Sequence, residues 1–118
     1  MTGIETEVTA DTGSSNSIRL VLDRTAASSP EGYRLKVGKR DITITGSSEA
    51  GIFYGIQTLR KSLPVTGQKE ISFPAVQILD EPEYRYRGMH LDVGRHFFST
   101  DFIKKYIDII ALHNLNTF

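Results

Sequence analysis

Apolar positions along the chain follow first one period and then another. From Ile18 to Asp23 (IRLVLD) they alternate, with Ile18, Leu20 and Leu22 on one face, which predicts a half-buried strand. The turn-forming stretch Ala26–Gly32 (AASSPEG) leads into a second alternation, Tyr33 to Val37, with Tyr33, Leu35 and Val37 inward. A tight GKRD connection and a third strand, Ile42 to Thr45 (ITIT), follow, and short links between three strands predict an antiparallel meander. Within Ser48 to Leu63 the period changes: Ile52, Ile56, Leu59 and Leu63 recur every three or four residues, with Phe53 beside them. That predicts an amphipathic helix capped by Ser47 or Ser48 and stopped by Pro64. After a polar loop over Val65 to Glu70, Ile71 to Leu79 (ISFPAVQIL) reads as another strand, at an edge or interrupted at Pro74. The expected fold class is α+β, a small antiparallel sheet covered on one face by one helix in the order β-β-β-α-β.

Asp80–Glu83 (DEPE) reads as a linker, after which the pattern restarts. Met89, Leu91 and Val93 alternate with His90 and Asp92, predicting a strand with one apolar and one polar face. Ser99 is placed to cap a helix with Asp101 in its first turn and an apolar stripe of Phe102, Ile103, Tyr106, Ile107, Ile110 and Ala111. Asn114 closes that helix, and Asn116 to Phe118 reads as the first residues of another strand. Three regions result: a flexible segment over 1–17, with Ile4 and Val8 as weak strand candidates; an α+β domain over 18–83; and a β-α-β start over 84–118.

Composition narrows the function classes. With 39% hydrophobic and 24% charged residues in 118, the chain can bury a core. Formal net charge is zero, which removes the phosphate-neutralising patch of a nucleic-acid binder and electrostatic attachment to an anionic membrane. Lack of cysteine excludes disulfides and thiolate metal sites but leaves the compartment open. No apolar run approaches the roughly 20 residues of a membrane span. The first residues, MTGIETEVTADTGSSNS, lack the basic and apolar regions of a signal peptide.

Chemistry concentrates in Gly88 to Phe98, GMHLDVGRHFF. A strand ending in Gly94, Arg95 and His96 before a crossover helix presents those side chains at its C-terminal end, where open α/β sheets and barrels bind ligands. A plainer reading stands beside this one: Asp92 and Arg95 as a structural ion pair or surface charges, His90 and His96 as ordinary hydrogen-bonded residues. A metal is not expected, since His90 and Asp92 lie two apart on a strand and no third ligand is evident.

Residues 84–118 resemble the start of the catalytic barrel of family 20 glycoside hydrolases, the β-N-acetylhexosaminidases. The family pattern runs approximately R-G-x-x-L-D-x-S-R-H-F, then a helix, then K/N-x-N-x-F/L. The chain matches it at Arg87, Gly88, Leu91, Asp92, Arg95, His96, Phe97, Asn116 and Phe118, and departs at Gly94, where the family usually has Ser. The upstream segment resembles the small α+β domain that precedes the barrel, above all in G-x-F-Y-G-x-Q-T-L over Gly51 to Leu59.

The resemblance implies that Arg95 projects from the end of the first strand of a (β/α)8 barrel and hydrogen-bonds hydroxyls of the non-reducing sugar. A guanidinium's rigid fork of donors suits vicinal oxygens. Asp92 and His96 are implied as supports, and the Gly51–Leu59 motif as structural, its glycines allowing close helix–sheet packing and Gln57 and Thr58 satisfying nearby backbone. Catalysis in the family is substrate-assisted and retaining: the substrate's 2-acetamido group is the nucleophile, and an Asp-Glu pair supplies orientation and the general acid. That pair is expected beyond Phe118, so no residue of this chain is expected to be catalytic, and no cofactor is implied. Expected partners of the parent are glycans ending in N-acetylhexosamine, and the expected parent is exported or lysosomal. The apolar stripe over 100–112 would lack its barrel cover here, so the region is expected to dock on the first domain, to self-associate or to be disordered. The alternative is a non-catalytic α+β module for carbohydrate or protein contact.

Overall fold

The computed structural model describes residues 7–10, 16–64 and 70–118. The readings of Ile4 as a strand residue and of 65–69 as a loop lie outside the described residues; Val8 is 99% exposed and outside any strand. The chain divides into two compact units, Met1–Pro82 and Glu83–Phe118.

In the first unit, β1 (Ser17–Leu22), β2 (Tyr33–Val37), β3 (Asp41–Gly46) and β4 (Val76–Asp80) form one sheet in the order β1-β3-β2-β4. Helix α1 (Glu49–Lys61) connects the third strand to the fourth. The α+β class with a single covering helix holds, but the sheet is mixed rather than antiparallel: β1 runs parallel to β3, with Leu20 opposite Ile44, while β2 is antiparallel to both β3 and β4. The chain does reverse after β1, as its turn residues require, but β2 lands one strand away. The intervening loop crosses the end of β3 and is fastened there. The Asp23 amide donates to the Gly46 carbonyl at 3.0 Å, the Ser47 amide to the Gly32 carbonyl at 3.1 Å, and Ser48 Oγ to the Pro30 carbonyl at 2.6 Å. Alternation fixes which face a strand buries and says nothing about which neighbour it takes.

Cross-strand partners share a face, so Tyr33, Leu35, Val37, Ile42, Ile44 and Ile78 all point to the side that α1 covers. Ile44, at 0% exposure, is the centre of this core. The opposite face carries Arg19, Thr43, Lys36 and Gln77. β1 presents Ile18, Leu20 and Leu22 to the apolar side, yet each stays about half exposed. A helix about 10 Å wide covers only two or three strands spaced about 4.8 Å apart.

Ser48 caps α1 by accepting from the Ala50 amide, as expected, and the helix ends at Lys61 with Ser62 as its C-terminal cap, two residues before Pro64. Of the predicted Ile52–Ile56–Leu59–Leu63 stripe, its buried face keeps Leu59 alone. Gly51, Tyr54, Gly55, Gln57 and Leu59 are buried, whereas Phe53 and Ile56 are 40% and 37% exposed. The two glycines explain the rotation: a β-carbon on Gly51 would collide with the Gly32 carbonyl, and one on Gly55 with the Ile44 side chain. With hydrogen in those places the helix backbone sinks onto the sheet. At the far end, Tyr33 Oη donates to Asp80 Oδ2 at 2.8 Å and lies 2.6 Å from Thr58 Oγ1, joining β2, β4 and α1. Glu81 accepts from Ser28 Oγ at 2.7 Å and from the Ser29 amide at 3.0 Å, which ties the crossing loop to the end of β4. β4 begins at Val76, five residues later than predicted; Pro74, with no amide proton, sits before it, and the strand is at an edge.

In the second unit, α2 (Thr100–Leu112) is capped by Ser99 Oγ, which accepts from the Phe102 amide. The expected strand over 89–93 forms no ladder. Its backbone pairing is one parallel bridge, Gly88 with Thr117, supported by a Met89 amide to Thr117 carbonyl bond of 3.1 Å. A parallel contact across one helix is nevertheless a β-α-β excursion. α2 is formed, so the disordered outcome for 100–112 does not hold; Ile110 is its one buried residue, and Phe102, Ile107 and Ile109 are 43–46% exposed.

Candidate functional site

The Asp92 carboxylate organises the segment that follows it. Oδ1 accepts from the Gly94 amide at 3.0 Å and from the Arg95 amide at 3.3 Å, folding the chain back on itself in an Asx-type turn. Oδ2 lies 3.2 Å from Arg95 Nε. One carboxylate therefore holds both the backbone and the side-chain root of Arg95. The guanidinium is 91% exposed, and among the described residues its two terminal nitrogens have no partner. They form a forked pair of donors aimed outward, on a stem fixed at Nε. An exposed pair of this kind contributes little to stability, so its weight lies in orientation. Gly94 is not demanded by crowding: a β-carbon there would meet Asp92 Oδ1 at 3.4 Å, ordinary contact.

The remaining candidates are placed differently. His96 has its ring 5.7 Å from that of Phe98 and is not brought to the Arg95 side chain. His90 is exposed, and among the described residues no three His, Asp or Glu side chains gather as metal ligands. In the first unit an open hollow of about 330 Å³ is lined by residues that include Arg24, Ser28, Ser47 and Glu49. In the Gly51–Leu59 motif the glycines pack and Thr58 meets Tyr33, while Gln57 Oε1, in a residue 6% exposed, has no hydrogen-bond partner among the described residues.

Two motif residues to which the sequence reading gave no role hold the crossover together. Asn116 Oδ1 accepts from the Arg87 amide at 3.0 Å, and Asn116 Nδ2 donates to the Arg85 carbonyl at 2.8 Å. Arg87 Nε donates to the Asn114 carbonyl at 2.8 Å and Nη1 to the Tyr84 carbonyl at 2.6 Å. Asn114, at φ 59°, takes the left-handed conformation that turns the chain out of α2 toward Asn116. The available signal was the N-x-F match at Asn116 to Phe118.

Titratable groups of the first unit are perturbed by the same contacts. The Ser28 hydroxyl and Ser29 amide hold the Glu81 carboxyl below its ordinary value, and the Thr25 hydroxyl and amide do so for Asp23. Burial, with Asp80 adding to it, pushes the Tyr33 phenol up to about 12.

Comparison with known proteins accounts for both units. Residues 1–81 match the family model for glycosyl hydrolase family 20, domain 2, and residues 84–118 match that for the glycosyl hydrolase family 20 catalytic domain. A β-hexosaminidase of Porphyromonas gingivalis is 44% identical over 111 residues, covering 89% of this chain and 14% of its own. A β-N-acetylhexosaminidase of Cellulomonas fimi is 35% identical, covering 88% and 21%. Among solved structures, the β-N-acetylhexosaminidase of Streptomyces coelicolor superposes with a TM-score of 0.73 at 44% identity, covering 84% of this chain and 21% of that one. The Bacteroides fragilis enzyme gives 0.75 at 34%, covering 84% and 20%. The chain thus spans about a fifth or less of the length of these relatives. Its sheet-and-helix unit, the β-α-β excursion after it and both sequence matches place the chain in glycoside hydrolase family 20.

Proposed function

We propose that this chain is the accessory α+β domain and first βα unit of a β-N-acetylhexosaminidase, a larger protein that removes terminal N-acetylhexosamine by substrate-assisted, retaining hydrolysis. The observation that carries the reading is the Asp92–Arg95 pair at the end of the first barrel segment: a fixed Nε and two outward donors, suited to neighbouring sugar hydroxyls. Asp92 positions Arg95, and we assign His96, next in the chain with its ring against Phe98, the lesser role of a support. The Asp-Glu pair that steadies the acetamido nitrogen and protonates the leaving oxygen belongs to the rest of the parent, so the chain alone grips a sugar without cleaving it.

The test is release of 4-nitrophenol from its N-acetylglucosaminide. The whole protein is expected to turn over and the 118-residue chain to be silent; turnover by the pure chain overturns the division of labour. In the whole protein Arg95→Lys, which keeps the charge and loses the fork, is expected to raise KM about ten- to a hundredfold. An unchanged KM removes Arg95 from the sugar site.

The exposed Phe102, Ile107 and Ile109, with Phe97 at 90%, favour self-association of the isolated chain through 100–112. Sedimentation velocity showing a monomer across a hundredfold concentration range rejects that part.

A further inference from the structure

We propose that Asn116, acting with Arg87, is a positioning residue for Arg95, an inference that rests on the hexosaminidase reading of the parent. The Asn116 amide imitates a stretch of strand. Its oxygen takes the Arg87 amide and its nitrogen gives to the Arg85 carbonyl, extending by side chain the parallel pairing that the Gly88–Thr117 bridge begins. The Arg87 carbonyl accepts in return from the backbone N–H of Asn116 at 2.9 Å. Arg87 then spends its guanidinium on the carbonyls of Tyr84 and Asn114, on either side of the crossover. This clamp and the bridge tie the segment leading to Arg95 to the residues beyond α2.

A second, apolar path runs from the clamp to Arg95's neighbour. Phe118, two residues after Asn116, has its ring 5.4 Å from Tyr106; Tyr106 is 6.2 Å from Phe102, Phe102 4.7 Å from Phe98, and Phe98 5.7 Å from His96. The circuit closes on the residue that follows Arg95. Asn116 thus sets where Phe118 sits, and the rings carry that placement as far as His96, the chain neighbour of Arg95. A positioning role predicts a loss in substrate binding out of proportion to the loss in stability.

The experiment compares wild type, Asn116→Ala and Asn116→Asp in the whole protein, with Leu59→Ala, buried in the other unit, as a destabilised control. Asn116→Ala is expected to raise KM for the nitrophenyl glycoside about threefold or more with kcat within about twofold. Asn116→Asp, which keeps the acceptor and loses the donor, is expected to fall between. Leu59→Ala is expected to lower Tm with KM unchanged. A KM for Asn116→Ala equal to wild type, with Tm lowered as in Leu59→Ala, makes the clamp a scaffold and overturns the proposal. Amide exchange in the 118-residue chain tests the clamp without reference to catalysis: exchange at Arg87 and Met89 is expected to speed at least about tenfold in Asn116→Ala, and unchanged exchange overturns it. A wild-type whole protein without turnover sinks the hexosaminidase reading instead, and the exchange result still decides the clamp.

Discussion

The sheet of residues 17–80 and the excursion of residues 87–118 hold together by different means. In the first, four strands share ladders, one helix lies on their apolar face, and six buried side chains centred on Ile44 make a continuous core. In the second, one backbone bridge, an asparagine–arginine clamp and a row of rings do the work, with Ile110 the one buried hydrophobic residue. The contrast teaches that a strand is a property of a pair. Residues 89–93 alternate as regularly as 33–37 do, yet only the latter find neighbours on both edges. A barrel strand is flanked on both sides by others, and here a single residue of the next one is in register.

The largest effect that sharpens this comparison is expected from the two cores. Ile44→Ala leaves a void among side chains that cannot close on it and is expected to cost about 2–5 kcal/mol. Ile110→Ala, whose helix has half-exposed residues free to settle around it, is expected to stay near 2 kcal/mol. Native-state amide exchange reads each separately, at the β2 and β3 amides for the first and along α2 for the second. Equal losses would mean that the second unit is packed as tightly as the first and would break the contrast.

Legibility in the sequence follows the same line. Strands β2 and β3, both helices and their serine caps could be read because hydrophobic period, turn chemistry and capping are local. The parallel placement of β1 could not, since it depends on a loop crossing the end of β3 through bonds to Gly46, Ser47 and Ser48. The hydrophobic period of α1 located its buried face only at Leu59, for a related reason. A hydrophobic period gives weight to Ile52 and Ile56 and none to Gly51 and Gly55, although those glycines decide which side meets the sheet. At the candidate site, Asp92 and Arg95 stood out as charges three residues apart, and their pairing at 3.2 Å is local too. The Asn116 clamp reaches back 29 residues to Arg87 and 31 to Arg85, beyond any window of periodicity.

Alkaline pH gives a smaller and more selective way to separate the units. The Tyr33 phenol, 2% exposed, is pushed up to about 12 by burial, with Asp80 adding to it through its hydrogen bond and its charge. A group whose folded pKa lies above its unfolded value near 10 contributes stability that is fully present below pH 10 and is lost as pH climbs toward 12. The clamp of the second unit consists of a guanidinium, an amide side chain and backbone, none of which has a proton to lose in that range. Exchange-protected amides of β2 and β4, next to Tyr33 and Asp80, are therefore expected to open between pH 10 and 12, with the Asn116–Arg87 contacts unaffected by direct titration. Tyr33→Phe supplies the check. It removes the hydrogen bonds to Thr58 and Asp80, at about 1–3 kcal/mol near neutral pH, and with them the alkaline loss. Should Tyr33→Phe lose stability over pH 10–12 as steeply as wild type, the phenol is not the group that titrates, and the first unit's polar junction is no more pH-sensitive than the second's.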